Sequence, residues 1–131
     1  MIVVDASVTI AWLFEDERSE LAQRALTALE TDEALVPAIW PVEVQNVVLT
    51  AERRGRLTIE AGELLARIRA LRIHVDAPAR IDASVYDLAK KHDLTAYDAS
   101  YLELALRHGY KLATLDKALS RAARRENAAF R

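Results

Sequence analysis

Apolar residues follow two alternating rhythms along the chain: short unbroken runs, and longer stretches spaced three and four apart. The first run, Ile2-Val3-Val4, is β-branched throughout and fits a strand buried on both faces, as in a parallel sheet covered by helices. It ends at Asp5, and Val8, Ala11, Trp12, Leu13 and Phe14 begin a helical pattern at once. Beyond the acidic 15–20 loop, Leu21, Ala22, Ala25, Leu26 and Leu29 carry the amphipathic spacing of a second helix. Ala34-Leu35-Val36 reads as a short strand closed by Pro37. Proline is tolerated in a first helical turn, so the next helix begins near Trp40-Pro41. It runs through Val44, Val47, Val48 and Ala51 to Arg53-Arg54, with Gly55 as its stop.

The second half repeats this alternation. Thr58 is a candidate N-cap for a helix over 60–71 carrying Leu64, Leu65, Ile68 and Leu71. Residues 72–75 alternate polar and apolar, which predicts a strand. Pro78 precedes a helix from about Arg80 to His92, with Ile81, Val85, Leu88 and Ala89 inward. Thr95 opens a helix through Leu102, Ala105 and Leu106 that ends at Gly109, and 110–114 reads as a strand. A last helix follows Asp116 towards Arg125. Residues 127–131 are too short and mixed to assign, so they fray or add a brief strand. Strands alternating with helices imply an α/β class: one α/β/α sandwich over 1–131 with a mainly parallel central sheet and right-handed crossovers.

Composition narrows the class. A chain of 131 residues suits one domain. Its 52% apolar and 29% charged content, with three Gly and three Pro, excludes disordered and collagen-like chains. With no cysteine there is no disulfide framework, thiolate metal site or cysteine nucleophile, and a reducing cytoplasm is the expected location. No apolar run reaches membrane-spanning length, and the start lacks the pattern of a secretion signal. The net charge of −2 gives no general attraction to nucleic acid, but the charge is uneven. Residues 1–33 hold eight acidic groups against two arginines, whereas residues 107–131 hold seven Lys/Arg against two acids. A basic C-terminal patch suits a polyanion, although a solvated helix face accounts for it as well.

Four acidic residues share one kind of position. Asp5 and Asp116 follow strands, while Glu43 and Asp98 fall in the first turns of helices. Singly, each has a structural explanation, as an N-cap or as a partner for a helix dipole. Jointly, parallel strands would deliver Asp5 and Asp116 to one sheet edge, with the starts of the Glu43 and Asp98 helices facing it. Uncompensated carboxylates there would repel and raise one another's pKa. A divalent cation resolves that conflict, and an all-oxygen set suits magnesium or manganese. Such a site can activate water against a phosphodiester. Ser7 lies beside Asp5, Thr114 two residues before Asp116, and Asn46 and Tyr101 lie three residues after Glu43 and Asp98. For Tyr101, packing with Leu102 and Leu106 is favoured over direct catalysis.

At these residues the chain resembles PIN-domain ribonucleases, specifically the VapC toxins of toxin–antitoxin systems. The resemblance rests on Val3-Val4-Asp5-Ala6-Ser7, Trp40-Pro-Val-Glu43-Val-Gln-Asn46, Leu94-Thr-Ala-Tyr-Asp98-Ala-Ser-Tyr101 and Leu112-Ala-Thr114-Leu-Asp116, in order across nearly the whole chain. It implies a PIN-like fold that hydrolyses RNA with Mg2+ or Mn2+. Asp5 and Asp98 would be the principal metal ligands. Glu43 would assist in metal binding or water activation, and Asp116 would complete the cluster or orient a water. Ser7, Asn46 and Thr114 would support them. It further implies a homodimer and a VapB-type antitoxin. The end of the chain departs from the family, since 124–131 show no clear final apolar strand.

Other readings fare less well. A phosphoryl-aspartate hydrolase would need an acid where Ser7 stands. The isolated glycines make no phosphate loop, Ser7 lacks a nucleophile elbow, and His74, His92 and His108 show no zinc spacing. A non-catalytic PIN-like scaffold that binds RNA or protein is the main alternative. Arg53, Arg54, Arg56, Lys117, Arg121, Arg124 and Arg125 are candidate phosphate contacts, with a solvated surface as the competing explanation.

Overall fold

The computed structural model describes residues 1–131 except Ala79 and Asp82. Four short strands, β1 (Ile2–Val4), β2 (Ala34–Val36), β3 (Ile73–Val75) and β4 (Lys111–Ala113), pair in the order β3-β2-β1-β4, all parallel. β1 is central, with Val3 opposite Leu35 on one side and Leu112 on the other. Its three residues are all buried, as a strand covered on both faces requires. β3 lies at an edge, and its His74 and Val75 are exposed.

The strands are joined by α1 (Ala6–Leu13), a 3-10 turn (Glu15–Glu17), α2 (Glu20–Ala28), α3 (Trp40–Arg53), α4 (Ala61–Arg69), α5 (Ser84–His92), α6 (Ala96–His108) and, after β4, α7 (Lys117–Arg125). The sheet packs with Val8, Ala22, Ala25, Val44, Leu102, Leu104 and Leu119 into one core. This is the α/β/α sandwich expected from the alternation of strand and helix patterns. Gly109 ends α6 at φ 70°, the left-handed conformation for which a glycine is suited. Among the described residues, no helix is long and apolar enough to cross a membrane.

Two boundaries differ from those the sequence predicts. Thr58 does not cap α4; Glu60 occupies that position and makes no side-chain hydrogen bond there. Thr58 is exposed between half-buried Leu57 and Ile59, so burial of its neighbours sets the path of the chain. α5 begins at Ser84 rather than Arg80, and Ile81 is fully exposed rather than inward. Ala83 at φ 72° lies in the left-handed region and is incompatible with helix continuation. Residue 82 of the expected helix lies outside the described residues.

The C-terminal segment adds a minimal extension to the sheet. Leu112 N donates to Ala128 O at 2.7 Å, and Phe130 N donates to Leu112 O at 3.0 Å, making one parallel bridge to Ala129. With no apolar run to bury, the pairing stops there. The histidines take packing and surface roles: His74 meets Glu33, His92 meets Glu126, and His108 stacks on Tyr110.

Candidate functional site

Parallel pairing of β1 and β4 brings the start of α1 and the start of α7 to one sheet edge. Asp5 terminates β1 and is 4% exposed. Its Oδ1 accepts from Ser7 Oγ at 2.6 Å and from Val8 N at 3.1 Å, so it is also the N-cap of α1. Its Oδ2 accepts from Thr114 Oγ1 at 2.5 Å. Each hydroxyl has one proton and gives it to Asp5, leaving its lone pairs for backbone donors. Leu115 N donates to Ser7 Oγ at 2.9 Å, and Asp116 N donates to Thr114 Oγ1 at 3.1 Å. The two hydroxyls thus stitch the β4–α7 turn, and Asp116 with it, to the end of β1.

The other three acids are set by helix starts. Asp116 caps α7, its Oδ1 accepting from Leu119 N at 2.8 Å, and is otherwise exposed. Asp98 lies in the first turn of α6, where Thr95 Oγ1 accepts the Asp98 N–H at 3.1 Å. Glu43 lies in the first turn of α3, and its Oε1 accepts from Tyr101 Oη–H at 2.5 Å.

The electrostatics tie them together. Burial pushes the Asp5 carboxyl up to about 6, against the opposing pull of Ser7, Thr114 and Val8, and the Asp98 charge adds to the rise. Burial also raises Glu43, with Asp98 again contributing, and the Tyr101 bond partly offsets the shift. Asp98 itself is raised by burial and by the charge of Asp116. Asp98 is therefore the member whose field joins the other three. The Tyr101 phenol is driven upward by burial and by Glu43, Asp5 and Asp98, so it stays protonated and remains a donor.

A site of this kind, with oxygen donors only and mutually destabilised carboxylates, fits a hard divalent cation. Among the described residues, no three acidic, histidine or cysteine side chains are close enough to enclose an ion alone. A magnesium-sized ion does not demand that, because it commonly takes one or two carboxylates and completes its shell with water and substrate.

The supporting residues divide. Ser7 and Thr114 both touch Asp5, whereas the Asn46 side chain is exposed and has no hydrogen-bond partner among the described residues. Arg53 and Arg54 lie exposed at the C-terminal end of α3, about 15 Å along the helix from Glu43 at 1.5 Å per residue. Arg56 is bound to Asp16 at 3.2 Å and sits over the Phe14 ring. Lys117, Arg121, Arg124 and Arg125 are exposed along α7, beginning one residue beyond Asp116.

Tyr101 is 1% exposed and packed, as expected, and its hydroxyl also holds Glu43, a role the sequence did not indicate. Replacing it with phenylalanine leaves Glu43 Oε1 half-buried without its donor. We expect Tyr101→Phe to lower stability by about 1.5–3 kcal/mol in chemical denaturation, the worth of a hydrogen bond to a charged group. Thr9 and Trp40 escape sequence reasoning. Trp40 Nε1 donates to Thr9 Oγ1 at 2.9 Å, and Thr9 Oγ1 donates to the Asp5 carbonyl at 3.2 Å, tying α3 to the end of β1. The available signal was Thr9 standing four residues after Asp5, the spacing of a hydroxyl bonded to a preceding helix carbonyl. Thr9→Val strands the buried indole N–H and should cost about 1–3 kcal/mol, read as a lower unfolding midpoint.

The PIN domain family profile matches residues 2–125. Ribonuclease VapC3 of Pyrobaculum aerophilum is 40% identical over 124 residues, covering 91% of this chain and 92% of that protein. The crystal structure of PAE2754 from the same organism matches with a TM-score of 0.74 at 24% identity, over 98% of this chain and 87% of that one. Mycobacterium tuberculosis VapC20, a sarcin-ricin loop cleaving toxin, matches with a TM-score of 0.67 at 19% identity, over 93% of this chain and 95% of that one. The two structural likenesses speak to the fold, and the profile and the curated relative to descent: the chain belongs to the PIN-domain family, among its VapC ribonucleases.

Proposed function

We propose that the chain is a divalent-cation-dependent ribonuclease, using Mg2+ or Mn2+, that serves as the toxin of a VapBC-type pair. The observation that carries this reading is Asp5: a carboxylate buried at a strand end, raised to about 6, and within the field of Asp98. Asp5 and Asp98 would be the principal ligands, with Glu43 and Asp116 assisting. Glu43 and Asp116 each commit one oxygen to the protein, to Tyr101 and to Leu119 N, and retain the other for a cation or a water. Asp5 accepts two bonds at Oδ1 and one at Oδ2, so the lone pair left for a cation is on Oδ2. When bound, the cation supplies Lewis acidity that activates water and stabilises charge on the phosphoryl group.

The protein's own contribution is placement. Ser7 and Thr114 fix the rotation of Asp5, Tyr101 fixes Glu43, and the caps fix Asp98 and Asp116. Outer partners of this sort typically contribute 10–100-fold to metal affinity or activity. Thr114→Val should therefore lower cleavage by about 10–100-fold and raise the cation concentration required, as read from a manganese titration of the initial rate.

The substrate in this reading is RNA, with a VapB-type antitoxin and a second copy of the chain as partners. Exposed Ile81, Tyr86 and Tyr97 border a groove of about 800 Å³ on the β2–α3 and α5–α6 side, which supports a protein partner there. Light scattering on the purified chain tests the homodimer. The activity is tested by incubating RNA with antitoxin-free protein, with and without EDTA. Cleavage that needs added Mg2+ or Mn2+ is expected. Failure to cleave any RNA would favour the non-catalytic scaffold instead.

A further inference from the structure

Among the described residues, one stripe of positive charge without carboxylate partners begins beside Asp116. Arg24, Arg56, Arg72 and Arg107 are each held by a carboxylate, whereas Arg53, Arg54 and Arg69 have no such partner among the described residues. Lys117, Arg121 and Arg124 have no such partner among the described residues, and they recur at i, i+4 and i+7 along α7. At 1.5 Å per residue that stripe is about 10 Å long. The three side chains line a groove of about 420 Å³ with Ser120, Leu21 of α2, and Thr114. Thr114 is the residue whose hydroxyl donates to Asp5. The groove and the acidic cluster therefore share a wall.

We infer that this α2–α7 groove is the track for the RNA strand flanking the scissile phosphate, with Lys117, Arg121 and Arg124 as phosphate contacts. The inference rests on the ribonuclease reading and adds where the strand lies. It also separates two basic clusters that look alike in sequence. Arg53 and Arg54 stand at the far end of α3 from Glu43, and Arg56 is committed to Asp16, so they are not part of the track. Repulsion supplies the logic. An acidic cluster disfavours the backbone it must cut, so cations just beyond it hold the flanking phosphates while a cation occupies the cluster. The Leu21 side chain provides an apolar surface for a base opposite the basic stripe.

Fluorescence anisotropy with a labelled single-stranded RNA, over a range of salt concentrations, tests this independently of catalysis. An Asp98→Asn background should slow cleavage enough for the titration, which is checked by running the RNA on a gel afterwards. Adding Arg121→Gln and Arg124→Gln should weaken binding roughly 10-fold near 0.1 M salt and reduce the log–log salt slope by about 1.4, the value for two contacts on a single strand. Arg53→Gln with Arg54→Gln should leave both unchanged. The track is overturned if the α7 pair alters neither affinity nor slope, if the α3 pair produces an equal loss, or if the background protein binds no RNA. Cleavage by the otherwise unaltered protein is scored separately. Groove-dependent binding without any cleavage upholds the track and removes the nuclease reading. Cleavage with binding indifferent to the α7 pair removes the track alone.

Discussion

Asp5→Asn and Asp98→Asn should each reduce RNA cleavage by about 100- to 1,000-fold, the loss expected when several kcal/mol of transition-state stabilisation at a metal site is withdrawn. Both substitutions keep side-chain size and remove the charge. At Asp5 the new amide still accepts one hydroxyl proton, while the Ser7 and Thr114 oxygens continue to accept from Leu115 N and Asp116 N. The β4–α7 turn therefore stays attached, and far-ultraviolet circular dichroism should be unchanged. At Asp98 the carboxylate's interaction with the Thr95 side chain is one an amide oxygen can keep, and the Asp98 N–H bond to Thr95 is untouched. Initial rates on an RNA substrate at saturating Mn2+ provide the check. Rates within threefold of the unaltered protein for both variants would remove Asp5 and Asp98 from the proposed chemistry.

The second large effect concerns stability without metal. The folded Asp5 carboxyl is raised from 3.8 to about 6, so between those values the folded protein binds more protons than the unfolded chain. Stability contributed by protonated Asp5 is present below pH 4 and is lost as pH rises through 6. At 1.36 kcal/mol per unit the loss is on the order of 3 kcal/mol, and Glu43 and Asp98 are shifted in the same direction. Asp32, Asp76 and Glu126 are lowered and oppose this trend, so the clean comparison is against Asp5→Asn. In EDTA, the stability of Asp5→Asn relative to the unaltered protein should improve by about 3 kcal/mol from pH 4 to pH 7.5 in urea unfolding. A difference that does not vary with pH would contradict the burial argument. Added cation at 100 times its dissociation constant should return about 2.7 kcal/mol at neutral pH, and less below pH 6 as protons compete for the same oxygens.

The sheet and most helices were legible because local pattern and tertiary environment agree. Ile2-Val3-Val4 is buried on both faces, Thr95 and Asp116 cap the helices they precede, and Gly109 stops α6. Legibility failed where a residue's own tendency yielded to its neighbours. Thr58 has the chemistry of a cap, yet Leu57 and Ile59 set the path of the chain, and Ile81 has the right spacing but precedes a left-handed Ala83. For the acids, a cap does not exclude the proposed site role: Asp5 and Asp116 each cap a helix with one oxygen. A cap preference therefore never argued against a site. What sequence could not supply was the long-range bonding, Thr114 to Asp5 across 109 positions and Tyr101 to Glu43 across 58. Those bonds hold Asp5 and Glu43, and the charge of Asp98, itself raised by Asp116, couples them into the electrostatic unit proposed as the site.

That unit is tested most directly by calorimetric titration of Mn2+ into EDTA-stripped protein at pH 7.5, alongside Asp5→Asn and Asp98→Asn. The account predicts saturable binding to the unaltered protein, at least tenfold weaker binding to each variant, and weakening below pH 6. Equal affinity in all three proteins, or no binding to the unaltered one, would contradict it.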